Sequence, residues 1–413
     1  MEVIHARCAG LDVHKDTVVA CVRIAKDDRV HQEVKTFGTT TSQLLALADW
    51  LRENECSHAA MESTGVYWKP VWHVLEDSLT LVLANAMHIR NVPGRKTDVN
   101  DAMWIADLLA HGLIRGSFVP PAPVQAMRDL TRTRKQLVRE VSQHSLRLQK
   151  TLEDANIKLG SFVSDILGAS GRAILDAIVK GIDDPEKLAD LSTGRLKASR
   201  NALVESLRGQ VRDHHRFLLR LHLDQIDALN KAVRDVEARL GTALDPFRDL
   251  EGLLMTIPGV SHTTAQVLLS EVGTDMSRFP TAGHLISWAG LCPGNDESAG
   301  KRRSTRLRKG GQWLKATLVQ SAWPASRKKG SYLKALFHRI RGRRGPKKAA
   351  VAVAASMLTA AYHMLKTGVV YEDLTDHYFE VRDRTKIAKH LLNRLANLGF
   401  QATISPIPVA IPT

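Results

Sequence analysis

The chain has 413 residues, with 58 Lys+Arg against 43 Asp+Glu and a formal charge of +15 at pH 7. Its 44% hydrophobic and 24% charged residues are those of an ordinary folded protein, which excludes wholesale disorder and fibrous repeats. The length suits two or three domains of roughly 100–200 residues whose cores need no covalent staples.

Glu2, His5 and Arg7 precede any apolar run, so no signal peptide is expected. Cys8–Val13 and Thr17–Ile24 are β-rich runs joined by the short His14-Lys15-Asp16 turn, and Gln32–Phe37 continues as a third. Thr41–Glu53 carries Leu44, Leu45, Leu47, Ala48 and Leu51 at helical spacing. Ala59–Glu62 reads as a short buried strand, Val66–Leu75 as a helix, Leu79–Ala84 as a strand and, beyond a loop around Pro93-Gly94, Val99–Leu109 as a helix. A meander followed by alternating helices and buried strands predicts an α/β domain with a mixed sheet over residues 1–120.

The Pro120-Pro121-Ala122-Pro123 joint closes that domain. Val124–Leu159 is nearly all helix former, and Ala202–Leu244 is a second long helical stretch. In the latter, Ile226, Leu229, Val233, Val236 and Leu240 step by a heptad. This predicts a coiled-coil region over 124–248 that packs as a hairpin on the first long helix or on a second subunit. A helical insert fills about 160–200, and no internal repeat is found. Residues 250–372 read as a mainly α domain. In it Thr256-Ile257-Pro258-Gly259-Val260-Ser261 before a helix over Thr263–Val272 predicts a helix-hairpin-helix-like element, with Gly259 placed to meet a phosphate. Ala349–Leu365 is short of the roughly 20 residues of a membrane span and reads as a buried helix, so a soluble protein with no membrane partner is expected. Residues 373–413 form an extension whose Pro-rich end, Ser405–Thr413, reads as loosely ordered.

The positive charge is concentrated in one place. Residues 301–348 hold 17 Lys+Arg and no acid, leaving 41 bases against 43 acids in the rest. Interleaving with Trp313, Leu314, Leu318, Trp323, Tyr332, Leu333, Leu336 and Phe337 predicts a folded polyanion-binding surface, for nucleic acid rather than an anionic membrane. The aromatic content of 5% argues against a single-strand stacking platform. Cys8, Cys21, Cys56 and Cys292 show no C-x-x-C pair and no metal-type spacing, and read as buried thiols of a reducing cytoplasm.

The acids suggest chemistry. Asp12 lies at the end of the first strand, Glu62 at the end of a later one, and Asp98 and Asp101 share one face at a helix start. Strand ends and a helix N-terminus at one rim of a sheet would gather four carboxylates, which is tenable with Mg²⁺ or Mn²⁺ bound. Two such cations can activate the attacking oxygen and stabilise the leaving one in phosphoryl transfer. Asp16 and Asp107 are assigned instead to a turn and to a helix face.

Three strings carry these acids: Gly10-Leu11-Asp12-Val13-His14-Lys15, Met61-Glu62-Ser63-Thr64-Gly65-Val66-Tyr67-Trp68, and Arg95-Lys96-Thr97-Asp98-Val99-Asn100-Asp101-Ala102. In their order and spacing the chain resembles the DEDD-type transposases of insertion sequences. The likeness resumes with Ile257-Pro258-Gly259-Val260, Ala289-Gly290-Leu291-Cys292-Pro293, Ser298-Ala299-Gly300-Lys301 and Lys309-Gly310-Gly311-Gln312-Trp313-Leu314-Lys315. The resemblance implies an RNase H-like (RuvC-like) N-terminal domain similar to a Holliday-junction resolvase, and a C-terminal transposase domain whose nucleophilic serine matches Ser298. This chain has Ser298-Ala299-Gly300 where relatives often have Ser-Gly directly.

What the resemblance implies is a recombinase that cuts and rejoins donor and target double-stranded DNA through a phosphoserine. The carboxylates and Ser298 would form one composite site, and an element-encoded non-coding (bridge) RNA would supply sequence choice by base pairing. A homo-oligomer, dimer or tetramer, in a prokaryotic cytoplasm at the nucleoid is the corresponding setting. A serine hydroxyl needs help to attack a phosphodiester, and guanidinium groups stabilise the charge that develops on phosphate oxygens. Arg302, Arg303, Arg306, Arg308 and Lys309 follow within about a dozen residues and read as nucleic-acid contacts, at least one arginine being catalytic. The competing readings are a metal-dependent junction nuclease in which Ser298 is structural, and a non-enzymatic nucleic-acid-binding protein with vestigial acids.

Overall fold

Extended, β-branched sequence over residues 7–38 folds, in the computed structural model, as an antiparallel meander of β1 (Arg7–Val13), β2 (Thr17–Lys26) and β3 (Arg29–Gly38). The structure describes residues 2–26, 29–63, 65–84, 89, 101–193, 199–294, 296–308, 310–382 and 384–403, with backbone alone at 296–298 and 302. Helix α1 (Thr41–Glu53) buries Leu44, Leu47, Ala48, Trp50 and Leu51. Strand β4 (His58–Glu62) then pairs in parallel with β1, and α2 (Trp68–Leu75) leads to β5 (Thr80–Ala84), parallel to β4. The sheet order is β3-β2-β1-β4-β5.

Strand β1 is buried almost throughout because helices cover both of its faces. Ala9, Leu11 and Val13 pack in the cluster that includes α1, whereas Cys8 packs under α3 (Asp101–Ala110). Helix α3 lies directly on Gly10, where a Cβ would come within 2.1 Å of the Ala102 carbonyl oxygen and 2.4 Å of the Ala106 nitrogen. The far end of α3 accepts a bond from Ile4 N–H on the Ala110 carbonyl at 2.8 Å. The helix therefore runs antiparallel to β1, with its N-terminus over the strand's C-terminal end. Asp107, the acid assigned to a helix face, accepts from the buried Arg23 Nε at 3.1 Å. Burial pushes the thiols of Cys8 up to about 11 and of Cys21 and Cys56 up to about 12, so they are protonated and inert at neutral pH.

Residues Met1–Val119 form one compact unit and Pro120–Thr413 a second. The second opens on α4 (Ala122–Asp154), with extended Pro121 as N-cap and a further proline in its first turn, where the missing N–H costs nothing. The insert folds as α5 (Leu159–Phe162), α6 (Ala169–Val179), α7 (Pro185–Asp190) and α8 (Arg200–Ser206), and α9 (Asp213–Ala243) returns along α4. The insert closes a core: Ile174, Leu175, Ile178, Leu188 and Leu203 pack with Leu148 and Leu152 of α4 and Leu219, Leu223 and Ile226 of α9. Arg172 forks onto Asp227 with both bonds at 2.7 Å and ties α6 to α9.

The continuous helix expected over Ala202–Leu244 is broken. The chain leaves α8 at Ser206 and resumes at Asp213 because Gly209 presses on the end of α4. A Cβ there would lie 2.4 Å from the Ala155 carbonyl oxygen, which already accepts from Gln210 N–H at 2.8 Å. Of the heptad seam, Ile226 and Leu240 are buried and Leu229, Val233 and Val236 half-buried, on a helix that packs along α4.

The C-terminal part comprises α10 (Arg248–Met255), α11 (His262–Val272), α12 (Ala282–Trp288), the hairpin β6 (Asp296–Ser298) and β7 (Lys301–Ser304), then α13 (Gln312–Ala325), α14 (Tyr332–Arg344), α15 (Pro346–Thr367), α16 (Tyr378–Arg382) and α17 (Arg384–Asn397). By length and composition α15 could cross a membrane, yet Val353, Ala354, Met357, Leu358 and Ala361 are buried and the helix packs on α13 and α14. Residues 404–413, which include the whole Pro-rich tail, lie outside the described residues.

Candidate functional site

The acidic rim follows from register. Strands β1 and β4 are parallel neighbours with Leu11 opposite Met61, so the next residues, Asp12 and Glu62, sit side by side at the C-terminal ends of the two strands, at the roughly 4.8 Å spacing of paired strands. Alternation puts Asp12 on the face of Cys8 and Gly10, the face that α3 covers. Asp101 is the first residue of α3 and Ala102 packs with Cys21 and Val19, the latter paired with Asp12. Asp12, Glu62 and Asp101 are each half-buried on one face at one end of the sheet. Asp98 lies outside the described residues.

A residue that sequence reasoning passed over as part of a turn joins this rim. The His14 ring Nε2 lies 3.1 Å from Asp12 Oδ2, with the carboxylate 24% and the imidazole 60% exposed. Its i, i+2 spacing from Asp12 was the available signal. The donor types suit a hard divalent cation: three carboxylates, whose oxygens do not all lie within 4.8 Å of one another, with the nearest thiol by register, Cys21, protonated and donating to the Val22 carbonyl at 3.6 Å.

Ser298 ends β6 and pairs with Lys301 across a two-residue turn, Ala299-Gly300. Both turn residues have positive φ, 51° and 72°, which is the two-residue hairpin geometry that matches strand twist. The ribbon continues through bonds from Gly294 N–H to Arg306 O at 2.9 Å and from Arg308 N–H to Cys292 O at 3.1 Å. Ala299 pays for a left-handed conformation that glycine adopts freely, about 1 kcal/mol. Ala299→Gly is therefore expected to raise amide protection across 296–304 roughly five-fold in hydrogen exchange; unchanged protection would show that the turn relaxes without it.

Arg306 and Arg303 are exposed, and exposed Arg308 donates to Ser287 Oγ at 2.7 Å, which fixes the base of the ribbon on α12. Lys309 lies outside the described residues, and Arg302 is described by backbone alone as the partner of Glu297. Leu314, Leu318, Leu333 and Phe337 of the basic segment are buried, so its charge sits on folded helices. Gly259 has φ +84° between α10 and α11, and a Cβ there would meet the Ser321 carbonyl oxygen of α13 at 2.5 Å. Its lack of a side chain lets α13 approach.

Asp154, His214 and His215 form a second group whose polar atoms lie within 4.8 Å of one another. His215 Nδ1 accepts from Arg212 N–H at 3.1 Å, so Nε2 carries the proton and donates it to Asp154 Oδ2 at 2.9 Å. With both ring nitrogens engaged, the histidine caps α9 and has no lone pair for an ion.

Comparison with known proteins bears on both ends of the chain. Residues 9–157 match a family model described as a transposase, of the DEDD type of IS110. Residues 251–338 match a second, described as transposase, IS116/IS110/IS902 family. The first stretch holds Asp12, Glu62, Asp98 and Asp101, and the second holds Gly259 and Ser298. A curated relative, the "Insertion element IS110 uncharacterized 43.6 kDa protein" of Streptomyces coelicolor, is 32% identical over 155 residues, and the match spans 36% of this chain and 36% of that protein.

Proposed function

We propose that this chain, whose two matched stretches are those of IS110-type transposases, is a transposase that cuts and rejoins double-stranded DNA through a covalent phosphoserine at Ser298. The observation that carries the reading is that Asp12 and Glu62, adjacent by strand register, share one face and one end of the sheet with Asp101, which starts the helix laid over Gly10. Carboxylates gathered on one rim repel one another, and a bound divalent cation relieves that repulsion. Asp12, Glu62, Asp98 and Asp101 would hold Mg²⁺ or Mn²⁺, which supplies electrostatic stabilisation of the phosphoryl oxygens when bound. We read residues 1–120 as an RNase H-like domain, 124–248 as a coiled-coil region, 250–372 as the transposase domain and 373–413 as an extension.

In the cleavage step the Ser298 oxygen bonds to phosphorus as the bond from phosphorus to a deoxyribose oxygen breaks. The serine proton passes to a base and the departing oxygen gains one. The phosphoserine keeps the energy of the broken linkage, so a DNA hydroxyl can reverse the step on a new partner without an external energy source. Arg302, Arg303, Arg306, Arg308 and Lys309 follow the serine in sequence and are suited to bind the charged phosphate. A structured guide RNA and a homo-oligomer, dimer or tetramer, complete the reading, set in a prokaryotic cytoplasm at the nucleoid.

The test is to incubate the full chain with element-end DNA, its flanking non-coding RNA and Mg²⁺, then denature. A protein–DNA adduct that maps by mass spectrometry to the peptide bearing Ser298 is expected. Cleaved DNA with free ends and no adduct would favour a metal-dependent junction nuclease instead.

A further inference from the structure

Outside the rim and the hairpin, the second unit holds a cleft of about 570 Å³ between α4, the start of α11 and α13. Helix α4 lines it with one stripe, residues 131, 134, 135, 138, 139 and 142, the i, i+3, i+4 repeat of a single helix face. Three of these are cations, Arg134, Lys135 and Arg139, and no Asp or Glu is among the described lining residues. Hydroxyl groups make up much of the rest, with Ser261 and Thr263 at the N-terminus of α11, where the helix dipole is positive.

The nearby acids are already committed. Glu271 is buried and receives both arms of Arg132 at 2.7 and 2.8 Å, and Glu237 pairs with Arg134. That leaves Lys135 and Arg139, which make no ion pair among the described residues. Both are held in place. Lys135 Nζ donates to Thr317 Oγ1 at 3.1 Å, and the Arg139 guanidinium lies 5.4 Å from the centre of the Trp313 ring. Burial, with Arg139 adding to it, holds the Lys135 ammonium below its usual range. Two fixed like charges facing a hydroxyl-lined cleft at a helix N-terminus are costly together, and an anion between them removes that cost.

We propose that this cleft binds the phosphodiester backbone of a nucleic acid through Lys135 and Arg139, two cations outside the basic segment 301–348 whose helix α13 forms one wall of the cleft. The inference rests on the proposed function, since it takes nucleic acid as the ligand. It places two phosphate contacts on the middle region of the chain, on one face of α4.

The experiment uses the full chain, Arg139→Gln and Lys135→Met/Arg139→Gln, titrated by fluorescence anisotropy with a random-sequence DNA duplex and, separately, an RNA duplex over a range of salt. The double variant is expected to bind about 10-fold more weakly at about 0.15 M salt and to lower the slope of log K against log salt by about 2, and Arg139→Gln by about 1. A purely structural role for these side chains would leave that slope unmoved. If Lys135→Met disturbs folding, exposed Arg139 alone carries the comparison. Loss in one arm identifies the strand type bound. Unchanged affinity and slope in both arms, with wild type binding, overturns the cleft alone; wild type that binds neither duplex overturns the proposed function with it.

Discussion

Ser298→Ala is expected to abolish the covalent adduct and to lower strand exchange by on the order of 10³-fold or more, while leaving DNA binding intact. The substitution removes one oxygen from a residue whose backbone is fixed by pairing with Lys301, so the hairpin keeps its register. Binding and chemistry are therefore separable in this variant. Denaturing gels on labelled DNA would score the adduct, and anisotropy would score binding. Strand cleavage that survives the change would sink the serine mechanism and leave the carboxylates to act as a hydrolytic nuclease.

Asp12→Asn should act at the other chemistry. The amide keeps an oxygen for His14, 3.1 Å away, but loses the charge that a divalent cation requires. A loss of about 3–4 kcal/mol of transition-state stabilisation, roughly 10²–10³-fold in cleavage rate, is expected. Removing one of several like charges should also leave the metal-free protein equally or more stable, by up to about 1 kcal/mol, and should weaken the thermal stabilisation that Mg²⁺ confers. Cleavage measured across a Mg²⁺ series, with melting curves beside it, checks both halves. Undiminished cleavage would remove Asp12 from the site. Wild type that cleaves nothing under any metal would support a binding protein with vestigial acids.

Much of the first unit was legible because strand alternation and turn residues are local. The runs around Cys8–Val13, Thr17–Ile24 and Ala59–Glu62 became β1, β2 and β4 with ends moved by a residue or two. Asp12 and Glu62 were legible as strand-end acids for the same reason. That Asp101 meets them was less so: it depends on α3 running antiparallel to β1 and resting on Gly10, a contact about 90 residues away in sequence that no local pattern encodes. The break at Gly209 was hidden likewise, since helix formers flank it and the cause is the carbonyl of Ala155. The cleft beside the cations of α4 was hidden too, since it exists only where α11 and α13 pack against that helix.

The seating of α3 on Gly10 also has a mechanical consequence. With no side chain between them, the backbone of the helix and that of the strand touch directly, so neither can shift without the other. The amides of β1 and α3 should then open as one cooperative unit in native-state exchange, and the acidic rim should be either wholly assembled or wholly lost. Partial assembly, with its risk of loosely held metal and stray strand scission, is a state that this packing leaves sparsely populated.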